Sequence, residues 1–427
     1  MRTFLIIWLG QFASLLGSEM TNFAITIWAW EVTGQATPLA MIGVVSQIPR
    51  LLISPIAGIW VDRFNRKYLM LLGDSMAGLS TIALLTLLLT ENLQIWHLYI
   101  AGAVNGLFGY LQGLAHSTSI SLIVEAKHYA RASAFESLQL SSSYVVVPVI
   151  AGAVYAVTGL GGILTIDLMT FGVAIATLSF VAIPQPVRQA QPDASPQGWQ
   201  PLTFGMHYLW SRSSLRVLLS FFIVTNFVAS LSFSILPAMV LARLDSDSTL
   251  LGTMLSFFGL GGLLGGLTLS IWGGPRRRIH GVLIAFSIWQ MGLVVLALAQ
   301  TAITQIGTAF VCGFCAPFTS SCGQAIWRSK VQPEVQGRVF ATRFLLTQLA
   351  TPLGAVIAGP LADHIFEPAM VPGMPLAMAF GGLFGSGAGA GMSLQITVFA
   401  SLGVAVTLGG YGIPKLRRIE DEEIMPT

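Results

Sequence analysis

Charge is what this chain has least of. Only 9% of its 427 residues are Asp, Glu, Lys or Arg, against about 25% in a soluble globular domain. A water-exposed fold of this length cannot clothe its surface with so few ionisable groups. Disorder is excluded by the opposite excess, since 54% of the residues are hydrophobic. Cysteine is nearly missing too. Cys312, Cys315 and Cys322 share one apolar segment with no histidine nearby, and two thiols three residues apart on a helix read as small packing residues rather than as a disulfide framework or a zinc site. No G-x-x-x-x-G-K-[ST] sequence occurs, so no ATP site is expected. The glycines between Gly259 and Gly266 follow no strand and read instead as small residues at a close helix contact. A net charge of +3 gives no reason to expect a nucleic-acid partner, and no metal or cofactor is expected.

What is present is long apolar runs. About twenty such residues cross a bilayer as a helix, and runs without period-two alternation exclude a barrel. Twelve spans follow: 3–30, 38–60, 68–90, 96–122, 131–157, 161–182, 214–242, 249–272, 279–299, 302–327, 338–362 and 390–413. The first, just after Arg2, is too long for a signal peptide and lacks a small-residue cleavage pattern. Of the 21 Lys and Arg residues, Arg243 alone falls on one side of this layout, Arg50 and Arg343 fall within spans, and the rest lie on the other side. The positive-inside rule then places both termini in the cytoplasm.

Between the sixth and seventh spans, Pro184, Pro186, Pro192, Pro196 and Pro201 with several Gln suggest a linker. The expected organisation is a six-helix half at 1–183, a cytoplasmic linker at 184–213, a second six-helix half at 214–413 and a tail at 414–427, with Glu420, Asp421, Glu422 and Glu423 solvated. An internal repeat supports this division. Arg131-Ala-Ser-Ala134 returns as Arg338-Val-Phe-Ala341, Ala151-Gly152 as Ala358-Gly359, and Thr21-Asn22-Phe23 as Thr225-Asn226-Phe227. The fold expected is an all-α polytopic membrane protein, twelve helices in two pseudo-symmetric halves, a monomer whose surroundings are the lipid bilayer. Duplicated halves of this kind place a binding site between them near the midplane.

After the second span the chain reads Gly58-Ile-Trp-Val-Asp62-Arg63-Phe-Asn-Arg66-Lys67. This resembles the G-x-x-x-D-R-x-x-R-K signature of the major facilitator superfamily. Gly359-Pro360-Leu361-Ala362-Asp363, the glycine-rich stretch from Gly381 to Gly391, and Gly205-Met-His-Tyr208-Leu-Trp-Ser-Arg212 resemble its drug/proton antiporter branch, which includes macrolide-efflux-like permeases and siderophore exporters. Two motifs of many drug/proton antiporters are incomplete: Gly109-Tyr-Leu-Gln112-Gly113 lacks the arginine of R-x-x-Q-G, and Val147-Pro148-Val-Ile-Ala151-Gly152 keeps only part of G-P-x-x-G-G. The resemblance implies a cytoplasmic gate of Gly58, Asp62, Arg63, Arg66, Glu125 and Arg338. In it Gly58 permits a close helix approach, Asp62 meets the start of span eleven near Arg338, and Arg66 pairs with Glu125. Plain positive-inside anchoring is the other reading of the arginines.

An ionisable group at mid-bilayer costs about 3 kcal/mol or more, so each is a functional candidate. Glu19 heads them, within a stripe of Gln11, Ser14, Ser18 and Asn22 at helical spacing. It is expected to exchange a proton as access alternates, unless it is a paired structural acid. His116 and Asp167 are further proton-coupling candidates, though Asp167 also reads as structural. Asn22, Asn105, Gln112, Asn226 and Ser230 are expected to line a cavity, with Asn105, Gln112 and His116 on one face of span four that could equally be a packing seam. Arg50 and Asp74 are expected to pair. Together these features suggest export of a hydrophobic or amphiphilic, drug- or macrolide-like small molecule by proton antiport across the bacterial inner membrane. Export of a siderophore or other secreted metabolite, and a non-transporting sensor or assembly subunit, stay open.

Overall fold

The computed structural model describes residues 2–125, 128–181, 200–243 and 246–421. Among the described residues there is no strand, and the helices follow the apolar runs in order: α1 (Arg2–Thr33), α2 (Ala36–Arg63), α3 (Arg66–Leu89), α4 (Ile95–Ile123), α5 (Tyr129–Val145) and α6 (Val147–Phe180). Then come α7 (Gln200–Ser211), α8 (Ser213–Phe233), α9 (Leu236–Arg243), α10 (Ser248–Trp272), α11 (Arg278–Leu298) and α12 (Ala302–Lys330). The last are α13 (Gln336–Leu361), α14 (Glu367–Ala369), α15 (Pro375–Phe384), α16 (Ala390–Gly409) and α17 (Pro414–Arg417).

Ten helical stretches among the described residues are long and apolar enough to cross a membrane. Two breaks and one polar helix reconcile this with twelve spans. Gly159, at φ 62°, divides α6 into two arms, a backbone conformation that costs glycine little. The first arm continues α5 across Val146, where Pro148 cannot supply a ladder N–H, so α5 with that arm forms span five and the second arm is span six. The remaining span is α4, whose apolar run is diluted by Asn105, Gln112 and His116. Span eleven runs from α13 through a π turn at Ala362–Phe366 into α14.

By internal contacts the chain forms two compact units: residues 1–34, 41–195 and 247–252, and residues 35–40, 196–246 and 253–427. In the first, α1 lies along α6, and α3 packs on α4 and α6. The α1–α6 approach is close enough that a Cβ at Gly17 would stand 2.8 Å from Asp167 Oδ1. In the second unit, α11 packs on α12 and α16, and α13 on α8. There Gly261 and Gly265 of α10 sit directly on the backbone of Phe310 and Phe314 in α12, the close helix contact expected of the Gly259–Gly266 stretch. The three cysteines are free and buried in α12; Cys312 Sγ is 3.6 Å from the Trp289 carbonyl oxygen of α11, and Cys322 packs at Gly281.

Three stretches differ from the sequence reading. Residues 200–211, assigned to the linker, form α7, which packs on α13 with Tyr208 and Leu209 buried. The reason is an apolar face on Phe204, Tyr208 and Leu209 that has a core to join. The tail also docks at its start. Leu416 and Ile419 are buried, Glu420 Oε2 accepts the Ile279 N–H at the start of α11 (3.0 Å), and Lys330 Nζ donates to the Glu420 carbonyl (3.1 Å), a favourable place for a carboxylate. Glu422 and Glu423 lie outside the described residues. Finally, Asp363 of the π turn caps α2. Its oxygens accept the N–H groups of Ala36 and Thr37 (both 2.8 Å) and the Thr37 hydroxyl (2.5 Å), a carboxylate in the role of an N-cap side chain.

Candidate functional site

Buried acids distinguish the first unit. Glu19 of α1 is half-buried, with the neutral Asn22 side chain acting on its carboxyl from three residues on. The stripe forecast around it divides into two networks. Gln11 turns to Asp74 of α3, donating from Nε2 to Oδ2 at 2.8 Å. Gln112 of α4 donates from its own Nε2 to Asp74 Oδ1 (2.7 Å) and to Gln11 Oε1 (2.5 Å). A closed triad results, buried at Asp74, in which both carboxylate oxygens receive amide N–H groups. The expected Arg50–Asp74 pair is therefore replaced. Asp74 takes neutral amides, while Arg50 projects from an exposed position of α2 and lies over the Tyr110 ring, 5.5 Å from its centroid. Gln112 thereby joins α4 to α1 and α3 through amide hydrogen bonds.

The second network holds Asp167 of α6. Its oxygens accept hydroxyl bonds from Ser18 (3.4 Å), Thr21 (3.0 Å) and Thr81 (2.9 Å), from α1 and α3. The two networks differ in chemistry. Amide N–H groups only donate, and so fix Asp74 as a pure acceptor. Hydroxyls donate or accept, so the Asp167 cluster accommodates the acid with or without its proton. His116 lies half-buried one turn beyond Gln112 on α4, and Asn105 Oδ1 is buried without a hydrogen-bond partner among the described residues.

In the loop after α2, Asn65 caps α3 by accepting the Lys67 N–H (2.9 Å). Arg66 Nη1 donates to the Thr118 carbonyl near the end of α4 (2.7 Å), and Lys67 Nζ to the Ser179 and Val181 carbonyls at the end of α6 (2.9 and 2.8 Å). Cations thus satisfy exposed carbonyl ends, where the helix dipole favours them. Glu125 is exposed at the end of α4, and Arg63 is exposed at the end of α2. The side chain of Asp62 lies outside the described residues. Gly58 corrects an expectation: among the described residues nothing stands within 4 Å of where its Cβ would be, so its side of α2 has room for a side chain. Arg338 lies 4.0 Å over the Phe204 ring of α7.

The second unit contains a cavity of about 860 Å³ walled by α8, α10, α11, α12 and α13, within the range of drug-sized ligand sites. Phe233, Phe258, Phe286, Trp289 and Phe344 give it an aromatic wall, and Asn226, Gln324 and Gln348 supply amides. Asn226 lines this cavity. Ser230 does not: it is buried, donating to the Thr351 carbonyl of α13 (2.6 Å) at a packed helix contact. One turn beyond Asn226 on α8, it falls on the face turned to α13. The cavity also holds Arg343, whose Nη2 donates to Gln324 Oε1 (2.7 Å) and whose guanidinium carbon lies 5.2 Å from the Trp327 ring centroid. Sequence periodicity gave no sign of this aromatic wall, because its residues come from four separate helices.

A family model described as Major Facilitator Superfamily matches residues 7–355. Macrolide efflux protein A of Streptococcus pyogenes is 27% identical over 366 residues, covering 85% of this chain and 90% of that protein. Multidrug efflux pump Tap of Mycolicibacterium fortuitum is 24% identical over 369 residues, covering 82% and 88%. Among solved structures, the nucleoside transporter NupG superposes with a TM-score of 0.73 at 12% identity over 99% of this chain and all of that one. A bacterial homologue of the iron transporter ferroportin, in its inward-facing state, gives 0.66 at 14% identity over 95% and 98%. At such identities the structural likeness extends to the fold.

Proposed function

Since the chain belongs to the major facilitator superfamily, we propose that it is a secondary active transporter of the bacterial plasma membrane, both termini cytoplasmic, which exports a hydrophobic or amphiphilic small molecule of drug or macrolide type by proton antiport. The likeness to efflux proteins along more than four-fifths of the chain supports the direction and the cargo class. One observation carries the coupling: Glu19 places a carboxyl inside a spanning helix, half-buried and beside the neutral Asn22 side chain, with no ion pair to it among the described residues. A carboxyl so placed exchanges a proton with whichever side reaches it, and the charge change alters the cost of keeping it in an apolar setting. His116 and Asp167 are secondary proton sites in this reading. Asn22, Asn105 and Asn226 serve the cargo, and Asp62, Arg63, Arg66, Glu125 and Arg338 form the cytoplasmic gate. Alternating access between the two duplicated halves moves the site from one side to the other.

The test uses everted vesicles acidified inside by respiration, with erythromycin as cargo. Drug entry should release lumenal protons and relieve the quenching of an acid-trapped dye. Glu19→Gln should abolish that signal while equilibrium binding of the drug persists. A full signal in this variant removes Glu19 from coupling, and no signal with erythromycin or any compound of a drug panel supports the non-transporting reading.

A further inference from the structure

Arg343 is a cation inside span eleven that faces a cavity without a carboxylate: the lining of the second unit's pocket contains Arg343 and Arg328 but neither Asp nor Glu. Its partners are incomplete. A guanidinium carries five N–H donors in a planar fork. Nη2 reaches Gln324 Oε1, the Trp327 and Phe340 rings lie 5.2 and 5.4 Å from the guanidinium carbon, and Nη1 is buried with no acceptor among the described residues. Cation–π contact returns less than an intramembrane charge costs. A cation held at that cost on an aromatic cavity wall, its spare donor Nη1 needing only a turn of the side chain to meet an acceptor, matches a flat apolar body bearing an anionic, fork-shaped acceptor. Such a ligand stacks on Phe233, Phe286 and Trp289 and offers two oxygens to one guanidinium, the geometry in which arginine surpasses lysine.

We propose that this cavity is a binding site for aromatic carboxylates or comparable aromatic oxyanions, with Arg343 as the anion anchor and Gln324 holding the guanidinium in register. Within the transporter reading, on which this rests for the word cargo, it adds anionic aromatic compounds to the amphiphilic cargo class.

Equilibrium dialysis of the full chain in phosphatidylcholine nanodiscs tests it at pH 7, with no ion gradient. Three labelled probes share one ring system and differ in charge: 2-naphthoate, 2-naphthamide and 2-naphthylmethylammonium. Naphthoate should bind at least tenfold more tightly than either of the others. Arg343→Gln should reduce that preference to less than twofold, Arg343→Lys should keep part of it, and Arg50→Gln should leave it intact. Equal binding of the three probes, no binding of any, or a preference that survives in Arg343→Gln or follows Arg50 overturns the proposal. The wild-type order is informative without any variant, so misfolding of a substituted chain does not shield the idea. Because no gradient is present, binding order and the vesicle signal can fail separately.

Discussion

Two buried aspartates one helix apart make opposite demands on their neighbours. Asp74 is ringed by donors that cannot accept, Asp167 by hydroxyls that can do either. Asp74→Asn turns one acceptor into a donor facing an amide N–H, and the Gln112–Gln11 bond prevents either glutamine from flipping to compensate. A buried polar group left unsatisfied costs about 1–3 kcal/mol, so this variant should melt at lower temperature in detergent than wild type. Asp167→Asn should melt closer to wild type, because three hydroxyls can turn to accept. Comparable losses in the two would remove the distinction. The sequence marked both acids as improbable in lipid, yet matched Asp74 to the wrong partner. Opposite charge suggested Arg50, whereas α3 buries Asp74 and α2 leaves Arg50 outside. Gln11 and Gln112 lie 63 and 38 residues from Asp74, and nothing local ties three such distant positions together.

Helix contacts in this chain are set where backbone meets backbone. Gly261→Leu or Gly265→Leu drives a side chain into the Phe310 and Phe314 backbone and should sharply reduce the yield of folded protein on size-exclusion chromatography. Gly58→Ala meets open space and should behave as wild type there. The Asp363 cap carries a smaller stake: Asp363→Ala frees two N–H groups of α2 and should cost about 1 kcal/mol in thermal stability, with Asp363→Asn recovering part of it. Glycine spacing made the α10 contact readable, since small residues four apart mean close approach in any apolar helix. The loop motif misled at Gly58, whose position lies on the open side of its helix. Proline and glutamine content likewise hid α7, because composition averaged over thirty residues cannot register an apolar face of three.

Across the whole chain, the apolar runs anticipated most helix ends to within a few residues, since the bilayer thickness fixes their length and leaves tertiary packing little to alter. The aromatic cavity, assembled from five helices, was out of reach of any window along the chain. Orientation rests on where Lys and Arg lie, and it has its own test. An alkaline phosphatase fused after Thr427 should be inactive, and one inserted at Ser246, beyond Arg243, should be active; the reverse pattern inverts the topology. The interior thiols have a practical corollary. All three thiols are buried, Cys312 against the Trp289 carbonyl and Gly292 and Cys322 against Gly281, and a buried thiol of this kind is chemically inert. Maleimides and nitroxides will therefore pass the native molecule by. Paired reporter cysteines introduced at exposed Glu91 and elsewhere would speak alone against a wild-type background, opening opening-and-closing distances to pulsed spin-resonance measurement without first stripping the protein of its own sulfur.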